Sequence, residues 1–194
     1  MSHASVPPSA TTAGHAGGPD GLEARIRAAV RDVPDFPKAG ILFKDITPVL
    51  ADAELFRLTT DGMAEPWRGA GITHVVGIES RGFILGAPIA QRLGAGFVPV
   101  RKPGKLPYRR ERIEYSLEYG VDALEIHADA CGVGARVLIV DDVLATGGTA
   151  AAAAGLIGQL GAPVAGFAFL IELAFLGGGA RLREVARTSL VRFS

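Results

Sequence analysis

The chain has 194 residues, 48% hydrophobic and 21% charged, a balance that suits one globular domain. Lys+Arg and Asp+Glu stand at 20 each, so there is no global field for nucleic acid or an anionic membrane, and any anion has to be met by a local site. The single cysteine, Cys131, excludes an internal disulfide and fits a reducing cytoplasm.

Met1–Gly21 is rich in Ser, Ala, Thr, Gly and Pro without apolar periodicity, and is expected to be a disordered tail ahead of a single domain over residues 22–194. No apolar stretch precedes Arg25, so no secretory signal is expected. The most apolar run, Ala162–Leu176, is broken by Glu172 and too short to span a bilayer. Leu22–Val30 has apolar residues at every fourth position and predicts a short helix, which Pro34 and Pro37 end in favour of an extended loop. Asp52–Trp67 predicts a second helix. His74–Ile78 is a short apolar strand. Gly82–Leu93 is a helix candidate with Pro88 weighing against it. Phe97–Val100 predicts a strand, Arg101–Arg112 a basic loop punctuated by Pro and Gly, and Leu124–Ala128 a further strand. Arg136–Val140 is apolar throughout, as expected of a strand covered on both faces. Thr149–Leu160 is an alanine-rich helix stopped by Gly161, and Val164–Leu173 another buried strand. Strands alternating with helices give an α/β class: a central, mainly parallel sheet flanked by helices, whose ligands bind beyond the carboxyl ends of the strands.

That rule directs attention to Val137-Leu-Ile-Val-Asp-Asp-Val-Leu-Ala-Thr-Gly-Gly-Thr149. A buried strand delivers two acids, then a turn of small residues, then a helix. Gly147 and Gly148 let backbone approach a ligand, and the free N–H groups of the helix start suit phosphate. Thr146 and Thr149 can donate further hydrogen bonds, and Asp141 and Asp142 can accept from sugar hydroxyls. The run lacks the glycine–lysine pattern of a nucleotide-triphosphate loop and the Gly-x-Gly-x-x-Gly of a dinucleotide site. No grouping of His, Cys and carboxylates has metal-ligand spacing.

This run resembles the phosphoribosyl-pyrophosphate signature of the type I phosphoribosyltransferases. The resemblance implies that fold, with a small N-terminal hood at about residues 30–50. It also implies that Asp141 and Asp142 hold the ribose hydroxyls, that Val143 or Leu144 flanks the base, and that Ala145, Thr146, Gly147, Gly148 and Thr149 hold the 5′-phosphate. Magnesium would reach the site on the substrate, with no direct protein ligand.

Other segments agree. Glu79-Ser-Arg-Gly82 follows a strand and resembles the family's pyrophosphate loop, with Ser80 and Arg81 as contacts and a non-proline cis peptide carried over to Ser80–Arg81. In Arg101-Lys-Pro-Gly-Lys-Leu-Pro107, the resemblance assigns Arg101, Lys102 and Lys105 to pyrophosphate, partly across a homodimer interface. Arg109, Arg110 and Arg112 read as a solvated face. Tyr115-Ser-Leu-Glu-Tyr-Gly120 is similar to the family's catalytic loop, where the carboxylate matching Glu118 handles a proton on the base and Tyr119 lies beside the substrate. Pro34-Asp-Phe-Pro-Lys-Ala-Gly-Ile-Leu-Phe-Lys-Asp-Ile-Thr-Pro48 resembles the hood of the adenine-specific members. There Phe43 would stack on the base and backbone at Leu42 and Lys44 would read its edge, with Phe36 left as core. Ala39 replaces a proline usual in that hood. The implied reaction joins adenine to 5-phosphoribosyl-1-pyrophosphate, giving AMP. The rivals are an enzyme for xanthine, guanine or orotate, a non-catalytic regulator that keeps the ligand site, and a phosphoribosyl-pyrophosphate synthetase. The last would need an ATP site and a longer, duplicated chain.

Overall fold

The computed structural model describes residues 19–117 and 120–194. Helix α1 (Pro19–Ala29) begins inside the stretch expected to be tail. The extended loop expected after it holds a small antiparallel hairpin, β1 (Arg31–Pro34) and β2 (Leu42–Asp45), with Pro34 opposite Leu42. Next come the short α2 (Thr47–Ala51) and α3 (Ala53–Ala64), where the Asp52 carboxylate accepts from the backbone N–H of Leu55. That bond satisfies one of the free donors at a helix start.

The body is β3 (His74–Ile78), α4 (Arg81–Leu93), β4 (Gly96–Val100), β5 (Arg110–Leu117), β6 (Gly120–His127), β7 (Val137–Leu144), α5 (Gly148–Gln159), β8 (Val164–Leu173) and β9 (Arg187–Phe193). Five strands form one parallel sheet in the order β4-β3-β7-β8-β9. Its faces alternate residue by residue. Leu138 and Val140 pack with α1–α4 through Ile26, Val49, Leu55, Met63, Leu85 and Ile89. Val137 and Ile139 pack with α5 and the β5–β6 ribbon through Ala153, Leu156, Ile157, Leu124 and Ile126.

Helix α4 runs straight through Pro88. The end of the basic loop, and the segment expected to close it, instead form the antiparallel β5–β6 ribbon, with Arg110 opposite His127 and Leu117 opposite Gly120. Strand β7 is longer than predicted and carries both acids within it, because Asp141 pairs with Phe169 and Leu144 with Glu172 of β8.

Candidate active site

The carboxyl ends of β3, β4 and β7 open on one edge of the sheet, and these ends with the loops and helix starts that follow them hold most of the residues singled out from the sequence. The turn Ala145–Gly147 leads into α5. Gly147 has φ +78°, and a β-carbon on it would lie 2.6 Å from the Gly178 carbonyl oxygen. A β-carbon on Gly178 would in turn come within 2.1 Å of the Ala145 carbonyl oxygen. Both positions therefore exclude a side chain, and the turn is backed by the Gly178–Leu182 segment, which the sequence reading did not mark. On its open side a cleft of about 70 Å³ is lined by Asp141 and Val143–Ala150. Free N–H groups at the start of a helix of this length, flanked by Thr146 and Thr149, suit a phosphate group.

Asp141 and Asp142 stand side by side in β7, both beside the start of α4. Asp142 is buried and forms an ion pair with the Arg81 guanidinium. Asp141 lines the cleft; burial and the neighbouring Asp142 charge push its carboxyl well above the ordinary carboxylate range. Arg81 gets there because α4 starts hard against β7: a β-carbon on Gly82 would lie 2.8 Å from the Val140 carbonyl oxygen. Leu144 is buried in the core and Val143 is half-buried, so of the two expected to flank the base only Val143 has a side chain to offer. The non-proline cis peptide joins Glu79 to Ser80, one residue earlier than carried over. Arg81 is already the first residue of α4, whose regular backbone takes a trans bond there.

The basic segment after β4 folds onto Glu79. One carboxylate oxygen of Glu79 accepts from the Lys102 backbone N–H at 3.0 Å and from Arg101 Nε at 3.3 Å, and the other accepts from Lys105 Nζ. Burial alone would raise the Glu79 pKa, but Lys105, the Lys102 N–H and Arg101 together hold it below its ordinary value. The Lys102 ammonium turns the other way, to Asp122 of the ribbon, with the Tyr115 hydroxyl at 3.5 Å. Burial works against its charge, yet Asp122 and Tyr115 together outweigh it and raise the Lys102 pKa. Thr149 Oγ1 donates to the same Tyr115 hydroxyl at 3.4 Å. Glu79, Tyr115 and Asp122 are thus site residues to which the sequence reading gave no role. For Glu79 the signal was present, a carboxylate at a strand end beside a basic loop; strand alternation gives none for Asp122.

In the hood, Phe43 is half-buried, with the Arg81 guanidinium 5.1 Å from its ring centre. Phe36 is 51% exposed and meets Phe43 edge-on at 5.1 Å. It is not core: the hairpin turn leaves it at the surface, edge-on to the other ring of the hood. Lys44 pairs with Asp32 at 2.5 Å, and Leu42 is half exposed. A cavity of about 750 Å³ lies between Lys38–Leu42 of the hood, Ala145 and Thr146 of the turn, and Leu173, Phe175 and Leu176. Glu118 and Tyr119 lie outside the described residues. Among the described residues no cluster of three His, Cys, Asp or Glu side chains is placed to hold a metal ion.

A model of the phosphoribosyl transferase domain matches residues 63–186, spanning α4, the basic loop, β7 and the turn. An adenine phosphoribosyltransferase of Myxococcus xanthus is 59% identical over 172 residues, 89% of this chain and 94% of that one. The chain belongs to the adenine phosphoribosyltransferases of the phosphoribosyltransferase family. Solved structures agree. The adenine phosphoribosyltransferase of Thermoanaerobacter pseudethanolicus superposes with a TM-score of 0.85 at 52% identity, over 88% of this chain and 99% of that one. The Saccharomyces cerevisiae enzyme, complexed with an imino-altritol bisphosphate and adenine, gives 0.82 at 41% identity, over 87% and 98%.

Proposed function

We propose that the protein transfers the phosphoribosyl group of 5-phosphoribosyl-1-pyrophosphate to adenine, giving AMP and pyrophosphate, as a step of purine salvage. The observation that carries this is the shared cavity: the hood and the phosphate turn line one space. A base held in that space beside Leu42 therefore faces a sugar whose phosphate sits on Ala145–Thr149. In the yeast relative that same pairing of ligands, a phosphorylated sugar mimic and adenine, is present together.

In this reading the enzyme forms no covalent bond to the sugar. Its residues position two reactants and stabilise charge. The α5 N-terminus with Thr146 and Thr149 holds the 5′-phosphate. Asp141 and Asp142 accept from the ribose hydroxyls and favour the cationic sugar carbon that forms as pyrophosphate leaves. Arg81, with Arg101 and Lys105 nearby, draws the leaving negative charge. Glu118 handles the proton on the base. Magnesium held on the substrate's own oxygens, with no direct protein ligand, would add positive charge to the leaving group. Homodimerisation, with the Arg101–Pro107 segment serving partly across the interface, and a cytoplasmic location belong to the same reading. Cys131 as the one cysteine fits a reducing compartment, and among the described residues no helix is long and apolar enough to cross a membrane. The test is pyrophosphate release measured with each base in turn. Adenine is expected to support turnover at least about a hundredfold faster than guanine, xanthine or orotate, because a site built on specific hydrogen bonds rejects what leaves them unpaired. Equal rates, or none with adenine, would end this reading.

A further inference from the structure

Each of the cations Arg81, Arg101, Lys102 and Lys105 already has a protein carboxylate as partner: Asp142, Glu79, Asp122 and Glu79 respectively. Glu79 differs from the others in dividing its two oxygens between different tasks. Oε2 holds the chain itself, through the Lys102 backbone N–H at 3.0 Å, and the Arg101 side chain at 3.3 Å. Oε1 holds the end of the Lys105 side chain. The first partners are fixed parts of the loop, which Glu125 and Lys105 also tie down: Glu125 Oε2 accepts from the Gly104 N–H at 2.9 Å, and the Lys105 carbonyl oxygen accepts from Arg101 at 3.0 Å. The second partner is free to leave. The Lys105 side chain is 47% exposed and that of Glu79 only 11%. An ammonium on a long exposed stem exchanges one oxygen partner for another at little cost.

We propose that Glu79 is a positioning residue with a built-in competing charge: its carboxylate anchors the Arg101–Lys105 loop permanently and holds Lys105 only until pyrophosphate displaces it. This rests on the proposed pyrophosphate site and adds a residue and a direction to it. Before substrate arrives, Glu79 offsets the charge of Arg101 and Lys105 and keeps both at the end of β3. When the pyrophosphate group arrives, Lys105 swings to the stronger anion while Arg101 and the loop backbone stay in place. On product release Glu79 takes Lys105 back, so the carboxylate weakens the hold on pyrophosphate and speeds its departure.

The test is a calorimetric titration of the full chain with pyrophosphate in magnesium buffer. Glu79→Gln keeps an oxygen for the Lys102 N–H and removes the competing charge, so it is expected to bind pyrophosphate about fivefold more tightly than wild type. In a Lys105→Met background the same substitution is expected to change affinity by less than about twofold, since no ammonium remains to compete for. Unchanged or weaker binding by Glu79→Gln overturns the proposal, as does a gain that persists without Lys105. A crystal of the wild type with pyrophosphate checks it without any variant. Lys105 Nζ is expected to have left Glu79 while the Lys102 N–H has not, and a retained Lys105–Glu79 contact overturns the exchange. If the wild type does not take up pyrophosphate at all, the proposed function fails along with this inference, an outcome distinct from a silent Glu79→Gln.

Discussion

Asp141 and Asp142 are neighbours of identical chemistry with different partners. Asp142 has the Arg81 guanidinium as its partner, and Asp141 has the cleft and its neighbour's charge. Replacing Asp142 by Asn leaves a shape that still accepts one hydrogen bond and exposes Arg81 to water. The protein is expected to fold and to lose about two orders of magnitude in turnover, the usual cost of removing one charged contact to a developing charge; pyrophosphate release checks this. Asp141→Asn acts on stability. A carboxyl whose folded pKa is raised destabilises the fold when ionised, so the penalty is present above that raised pKa and absent below the unfolded value of about 3.9. The Asn variant is therefore expected to melt higher than wild type by a few degrees at pH 7–8, since about 1 kcal/mol moves a domain of this size by roughly 2–4 °C. The gain should fade as pH falls towards 4 in a series of thermal melts. That two acids sit here was legible in the sequence. Which one meets Arg81 was not, because it depends on where β7 ends, and pairing with β8 carries that end beyond Val140.

The phosphate turn was the most legible element, since its small residues, its glycines and its place between strand and helix all follow from local chemistry. Its backing was not. Gly178 is brought against Ala145 and Gly147 only by the path of the chain after β8, and a run of glycines read in isolation marks only a loop. Gly178→Ala forces a methyl group onto the Ala145 carbonyl oxygen and is expected to push the turn outward. KM for 5-phosphoribosyl-1-pyrophosphate should rise about tenfold, a change of ~1.4 kcal/mol, with KM for adenine nearly unchanged; initial-rate kinetics with each substrate varied separates the two. The hood reads the reverse way. Phe43→Ala removes a stacking face worth about 1–3 kcal/mol, so KM for adenine should rise by roughly ten- to a hundredfold and KM for the sugar substrate little. The β5–β6 ribbon was the least legible element. Basic and punctuated by proline and glycine, its start looks like loop, and the antiparallel pairing that makes it a strand is supplied by residues Gly120–His127.

At the scale of the molecule the order β4-β3-β7-β8-β9 explains why segments far apart in sequence share one site. Placing β3 between β4 and β7 brings the Glu79 loop, the basic loop and the phosphate turn side by side. The alternation of strands and helices announced a parallel sheet, and the apolar runs of β7 and β8 announced that both faces are covered. Neighbour order is a property of the whole sheet and is written in no single segment. Nor does local pattern show that β9 sends Phe193 back to the hood. There Lys44 lies 4.3 Å and Arg27 4.6 Å from its ring centre, and Arg27 also donates to the Arg192 carbonyl oxygen at 2.8 Å. One aromatic ring thus acts as a common footing for α1 and β2, and β2 bears Leu42 and Phe43. Selectivity for the base is then partly vested in a residue that the base never meets. Phe193→Ala, by withdrawing two cation contacts of about 0.5–1 kcal/mol each, is expected to blunt discrimination between adenine and guanine several-fold in competition assays, with the grip on the sugar phosphate intact.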